Sequence, residues 1–197
     1  PKNVPIPAFL PDTPETREEL AQYYQSVSRI DQGVARLVEI LKEAELYDKT
    51  MFVFTSDHGM AFAGGKTTVY EGGLRVPFVV RNPYEKNRGI RSTALISHID
   101  ITPTLLDFGG ALDSKSNRPK DWEDPNKSFP IPRTKGPKDN RGTSGKFSAY
   151  HGKSWLSLLG TADATHWKSI FASHTFHEIQ MYYPMRVFRD NEFKLIW

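Results

Sequence analysis

The sequence contains no cysteine. Disulfides, thiolate metal sites and a cysteine nucleophile are therefore excluded within these 197 residues. The redox compartment stays open, because a chain without thiols suits either side of a membrane. No apolar run approaches the roughly 20 residues that cross a bilayer, and nothing near Pro1 has the charged-then-apolar pattern of a signal peptide. A basic helix interleaved with aromatics is also missing, and a net charge of +3 is too small to argue for nucleic acid, although it suits an anionic ligand. The expected partners thus include neither nucleic acid nor a membrane, and oligomeric state is left open. Internal repeats are absent. What remains, 38% hydrophobic and 25% charged residues, is the composition of one globular domain with room for a small appendage. The chain opens without Met and stops within the strand-like run Phe193-Lys194-Leu195-Ile196-Trp197, so a piece of a longer protein is expected.

Periodicity supplies the elements. After a Pro-rich start, Asp12 or Thr13 is placed to cap a helix with Pro14 in its first turn and Glu15 at capping-box spacing from Asp12. Leu20, Tyr23, Tyr24, Val27, Ile30, Val34, Leu37, Val38, Leu41 and Ala44 then recur every three or four positions, one stripe along a helix of roughly eight turns. The two tyrosines fall in the register of core packing. Thr50 to Thr55 is a short, nearly all-apolar strand of the kind found inside a parallel sheet, and Val76 to Arg81 a second strand with Pro77 near its start. Thr102 and Pro103 begin a short helix that Gly109-Gly110 ends. From Asp113 to about Ser148 periodicity disappears into Lys, Asn, Pro, Ser and Gly, which reads as a surface insertion. Trp155 to Gly160 reads as a short helix, while Ser169–Phe176, Met185–Arg189 and Phe193–Ile196 read as strands of a small antiparallel sheet. The order helix, strand, loop, strand, helix is α/β.

Chemistry concentrates at the end of the first strand, in Phe54-Thr55-Ser56-Asp57-His58-Gly59. Ligands of α/β sheets gather where strands run out into loops. Asp57 offers a hard oxygen for a divalent cation, and His58 a nitrogen for a metal or a hydrogen bond for a substrate. An Asx turn explains the same residues without any ligand. Nine positions after Asp57, Lys66 stands among glycines, a point charge suited to a tetrahedral anion such as sulfate or phosphate. Glu71 and Arg75 read as an ion pair bracing Gly72-Gly73. His174, His177 and Glu178 invite a metal reading, but on a regular strand positions three apart face opposite ways unless the chain bends.

Three blocks, FTSDHG, GGKTTVYEGGLRVP and SHIDITPTLLDFGG, in this order and spacing, resemble the second half of the sulfatase catalytic domain, within the alkaline-phosphatase superfamily. The opening VPIPAFLPDTPETREELAQYYQSVSRIDQGVARLVEIL and the closing SHTFHEIQMYYPMRVFRDNEFKLIW are similar to the branch of that family acting on N-sulfated glucosamine. The resemblance covers nearly the whole chain except 111–148. It implies the C-terminal half of a mixed-sheet α/β sandwich plus a small antiparallel β subdomain: 1–110 as part of the catalytic domain, 111–150 as a surface insertion, 151–197 as the subdomain.

The resemblance further implies that Asp57 is a ligand of an active-site Ca2+. His58 takes the position of a second ligand, often asparagine in animal relatives; a histidine departs from that pattern, which favours contact with the sulfate over direct coordination. Lys66 is implied to bind the sulfate, so that Lys66 and His58 carry the catalytic roles present in this chain. His98 and Asp100 are assigned to hydrogen bonding around the Pro103 helix. His177 and Glu178 are implied to border the substrate pocket and select the sugar; Tyr182, Tyr183 and Arg186 are candidates to line it too, but core or hairpin packing is the preferred reading for these three. Sulfatases attack sulfur with a formylglycine hydrate made from a C/S-x-P-S-R motif, and none occurs here. Ser128-Phe129-Pro130-Ile131-Pro132-Arg133 has the wrong spacing and position. The expectation is therefore half an active site, inactive alone, from an enzyme that cleaves a sulfate ester or sulfamate of a sulfated or N-sulfated amino sugar in an exported or lysosomal setting. The alternatives are a phosphonate or phosphate monoester hydrolase of the same superfamily and a non-catalytic anion-binding pseudoenzyme.

Overall fold

A computed structural model describes residues 2–120, 149–177 and 181–197, the side chain of Met181 excepted. The Ser128–Arg133 run, most of the expected insertion and Glu178 lie outside the described residues. The chain divides into two compact units, one formed by Pro1–Arg88 with Ser169–Trp197 and the other by Gly89–Lys168.

The first unit begins with α1, Pro14–Glu43, 30 residues long and close to the eight turns its stripe predicts. Its N-cap is Thr13, whose side chain accepts from the Thr16 amide. The capping box expected between Asp12 and Glu15 does not form, because the Asp12 carboxylate is held by the Arg17 guanidinium through two bonds of 2.6 and 2.7 Å. Leu20 is fully buried, and Tyr23 packs edge-on against Phe62 as its register suggested. Farther along, Val27, Ile30, Leu37 and Ile40 are exposed.

Two strands follow, β1 at Phe52–Thr55 and β2 at Phe78–Arg81, with a one-turn helix α2 at Glu71–Leu74 between them. They pair antiparallel, with Phe52 opposite Arg81 and Thr55 opposite Phe78. This departs from the parallel setting that the apolar run of β1 suggested. The intervening chain reverses through a loop and one helical turn, without the crossover that a parallel pair requires.

At the C-terminus of this unit three strands form an antiparallel sheet: β5 at Ile170–His177, β6 at Met181–Arg189 and β7 at Lys194–Ile196. The strand β6 starts before the expected Met185 and runs across Pro184. There the register shifts between His174 and Phe176, so that Thr175 faces an extra residue on β6. A bulge is where a proline without an N–H does least harm to a ladder. Val187 is buried on the inner side of this sheet, while Phe171, Phe176, Tyr182 and Leu195 face outward.

In the second unit, α3 spans Ile101–Phe108 after a single 3-10 turn at His98–Asp100. Ser97 and Asp100 form a reciprocal capping box at that entry. At the exit Gly110 has φ +70°, and the amides of Gly110 and Ala111 turn back to Asp107 and Leu106, the glycine stop that the sequence predicts. The stretch expected to lose all pattern opens instead with a small hairpin, β3 at Leu112–Asp113 against β4 at Arg118–Pro119. Asp113 accepts from the Lys115 amide and the Ser116 hydroxyl, a local turn that short polar residues form without periodicity. Trp155–Gly160 contains a 3-10 turn at Leu156–Leu158 rather than an α-helix.

Asp100 organises this unit from a fully buried position. Its carboxylate accepts from the Ser97 and Lys153 amides and from the Trp167 indole, at 2.8, 2.9 and 2.9 Å. The hydrogen-bonding role expected for it around the Pro103 helix is what the geometry shows. His98, at the start of the same 3-10 turn, is exposed.

Candidate functional site

Four half-buried residues of β1 carry the chain to Ser56, Asp57, His58 and Gly59. The first contacts here are local. The Asp57 Oδ1 accepts from the His58 amide at 3.0 Å, and the Ser56 hydroxyl donates to the His58 carbonyl at 2.8 Å. The His58 ring lies with Nδ1 2.8 Å from the Gly59 carbonyl oxygen. A carbonyl only accepts, so Nδ1 carries the hydrogen and a neutral imidazole presents its lone pair at Nε2. That nitrogen is 3.5 Å from Asp57 Oδ2, on a carboxylate that is 84% exposed.

Two lone-pair donors at that distance can share a cation between them. A histidine that ligates metal usually donates its other N–H to a carbonyl or carboxylate, which is the arrangement at Gly59. The donor set therefore fits a divalent cation as part of a coordination shell. Calcium takes six to eight ligands, mostly oxygens, and among the described residues no group of three or more His, Asp or Glu could hold a metal.

Past His58 the chain packs backbone on backbone. The Gly59 amide donates to the Gly73 carbonyl at 2.9 Å, and a Cβ on Gly59 would stand 1.6 Å from the Gly72 oxygen. A Cβ on Gly73 would meet the Thr68 and Gly65 carbonyls at 2.3 and 2.5 Å. Only residues without a side chain permit this approach. The ring of Phe9, from the Pro-rich start, covers Gly64 and Gly72.

Within this loop the Lys66 amide donates to the Met60 carbonyl at 2.8 Å, which ties the lysine to the residues just after His58. Val69 is buried beneath the loop. Thr67 adopts φ +68°, a left-handed conformation uncommon for a β-branched residue and unfavourable by about 1–2 kcal/mol. Its Oγ1 accepts from the Tyr183 hydroxyl at 2.7 Å. Lys66, Thr67, Thr68 and Tyr183, with Ala61, Phe62, Ala63 and Gly64, line an open depression of about 400 Å3. Asp57 and His58 lie outside that lining.

Glu71 does not pair with Arg75 as the sequence suggested. Its carboxylate meets Lys194 of β7 at 2.9 Å. The hydrogen bond from Lys194 holds the Glu71 carboxyl below its ordinary range, with Arg189 and Arg75 adding to the effect.

His177 ends β5, half-buried, opposite Met181. The bulge after His174 reverses the alternation, so His174 and His177 are both half-buried while Phe176 between them is exposed. The bend that a shared face requires is thus present, but no third ligand joins the two histidines among the described residues. His174 instead stacks on Tyr183, ring centroids 4.7 Å apart. Tyr183, for which the sequence favours packing over a place in the pocket lining, is the residue brought beside Lys66. An inward position flanking a strand proline is the only signal that could have marked it.

The chain matches the sulfatase family over residues 6–111, more than half its length, and it belongs to that family. Over all 197 residues it is 32% identical to N-sulphoglucosamine sulphohydrolase of Homo sapiens, covering 34% of that protein. It is 30% identical over 105 residues to an ulvan-active sulfatase of Formosa agariphila, 53% of this chain and 18% of the relative. An N-acetylglucosamine-6-O-sulfatase of Bacteroides thetaiotaomicron is 29% identical over 125 residues, 54% of this chain and 22% of that one. The chain thus spans about a third or less of the length of these relatives. Helices with small antiparallel sheets suit the C-terminal part of an α/β sulfatase. Among the described residues no helix is long and apolar enough to cross a membrane.

Proposed function

We propose that the protein is a calcium-dependent sulfatase, hydrolysing a sulfate ester or sulfamate of a sulfated or N-sulfated amino sugar. The observation that carries this reading is the pairing of Asp57 Oδ2 with His58 Nε2, 3.5 Å apart at a strand end. The loop bearing Lys66 folds back onto the residues that follow. Full-length similarity to N-sulphoglucosamine sulphohydrolase supports the choice of sugar.

Asp57 and His58 would hold the cation, with the Gly59 carbonyl fixing the imidazole tautomer. Calcium, when bound, would supply positive charge against the sulfate, and a formylglycine hydrate would supply the oxygen nucleophile for sulfur. Lys66 grips a sulfate oxygen by charge and offsets the negative charge that builds as the bond to sulfur breaks. His177 borders the sugar, at the end of β5. The 197 residues hold no cysteine and no C/S-x-P-S-R run, so the nucleophile and the remaining ligands come from outside them, in an exported or lysosomal setting.

The test is turnover by the protein expressed from its complete reading frame, on N-sulfoglucosamine, an aryl sulfate and a phosphate monoester, with calcium and with chelator. Sulfate release that requires calcium is expected, and the 197 residues alone are expected to release none. Preference for the phosphate ester would instead favour a phosphoester hydrolase of the superfamily. Sulfate binding without any turnover would favour a pseudoenzyme.

A further inference from the structure

We propose that Tyr183 is a positioning residue for Lys66, acting through Thr67; this rests on the reading of Lys66 as the anion-binding residue. The reason lies in the backbone. Thr67 follows Lys66 directly and is held at φ +68°, where a threonine does not settle by its own preference. The contacts before and after it are local: the Lys66 amide to Met60, the Thr68 amide and hydroxyl to Gly65. Thr67 itself is held from a distant segment, by the 2.7 Å bond from the Tyr183 hydroxyl.

The phenol is itself well placed to hold. It stands on the inner side of β6 next to the bulge at Pro184, and its ring rests on His174 at 4.7 Å. Among the described residues the buried His174 Nε2 has no hydrogen-bond partner, and the ring contact with Tyr183 is one of packing. The sheet therefore sets Tyr183, Tyr183 sets Thr67, and Thr67 sets the direction in which Lys66 leaves the backbone. An anion meeting Lys66 does so in a depression lined by Tyr183, Thr67 and Thr68.

The test uses the complete protein and inorganic sulfate as probe, with affinity read by calorimetry and the thermal midpoint followed for each variant. Tyr183→Phe keeps the stacked ring and removes the hydroxyl, and should weaken sulfate binding about five- to tenfold, the worth of one net hydrogen bond. Thr67→Ala, which keeps the strained backbone and loses the acceptor, should match it. Thr67→Ser should stay within about twofold of the parent, since it retains the acceptor. Thr67→Gly, at ease at positive φ, should stay closer to the parent than Thr67→Ala. In a Lys66→Ala background, Tyr183→Phe should cost less than about twofold, which a general loss of folding would not produce.

Full sulfate affinity in both Tyr183→Phe and Thr67→Ala, with affinity lost in Lys66→Ala, overturns the positioning role and leaves the anion role of Lys66 standing. So does an undiminished cost of Tyr183→Phe in the Lys66→Ala background. Unchanged affinity in Lys66→Ala overturns the anion role and this proposal with it. If Tyr183→Phe fails to fold, the Thr67 series decides alone.

Discussion

His166 Nε2 lies 3.4 Å from Asp100 Oδ2, and both side chains are almost wholly shut off from water. Burial pushes the His166 imidazole below its ordinary range; the Asp100 carboxylate pulls it up, the Lys153 ammonium pushes it down, and the balance is downward. A histidine that is harder to protonate when folded makes stability rise with pH. This contribution is fully present above the ordinary value of about 6.5. It is lost as pH falls from there through the lower folded pKa, by at most about 1.4 kcal/mol per pH unit. Thermal midpoints recorded across that range should fall toward acid for the parent and flatten for His166→Phe. Parallel curves for the two would contradict the assignment.

A glycine pair separates close approach from mere flexibility. Gly59→Ala forces a methyl into the Gly72 carbonyl, and a loss of about 3 kcal/mol or more is expected. Gly33→Ala, on α1 with nothing within 4 Å, should stabilise by roughly 0.5–1 kcal/mol through helix propensity. Denaturant melts of both variants check the contrast, and equal effects would remove the packing account of the glycine loop.

The ion pair from Glu71 to Lys194 fastens β7 to the loop. Lys194→Met should cost about 0.5–1 kcal/mol, since the half-exposed Glu71 is partly screened by water. The Glu71 carboxyl is held low, so the pair stabilises above its ordinary pKa near 4.3 and fades as pH falls below that. At pH 3 the variant and the parent should melt closer together than at pH 7.

Calcium titration tests the strand-end pair apart from turnover. Asp57→Asn should weaken calcium binding at least about tenfold by removing a charged ligand. His58→Asn, which substitutes an amide oxygen suited to a hard cation, should retain it more fully than His58→Phe. Equal binding by His58→Asn and His58→Phe would place His58 outside the coordination shell.

How much of this was legible follows from the range of the forces involved. The 3.6-residue stripe gave α1 and the glycines gave the stop of α3, because both are local. Asp57, His58 and Lys66 stood out by residue type within one short loop. The antiparallel partner of β1, the start of β6 and the contact of Glu71 with Lys194 were not legible, since each depends on segments far apart in the chain. Tyr183 is the clearest instance: its bond to Thr67 joins residues 116 positions apart, and no periodicity encodes such a contact. Thr13 took the cap from Asp12 because a nearby arginine competed for the carboxylate, which is an outcome of geometry rather than of residue preference.

The most direct measurement is the rate of inorganic sulfate release from N-sulfoglucosamine by the complete protein in saturating calcium, compared with its Lys66→Ala variant. The expected result is turnover by the parent and a loss of at least about a hundredfold in the variant, the scale of removing one group that stabilises transition-state charge. Sulfate release at the parental rate by Lys66→Ala would contradict the account.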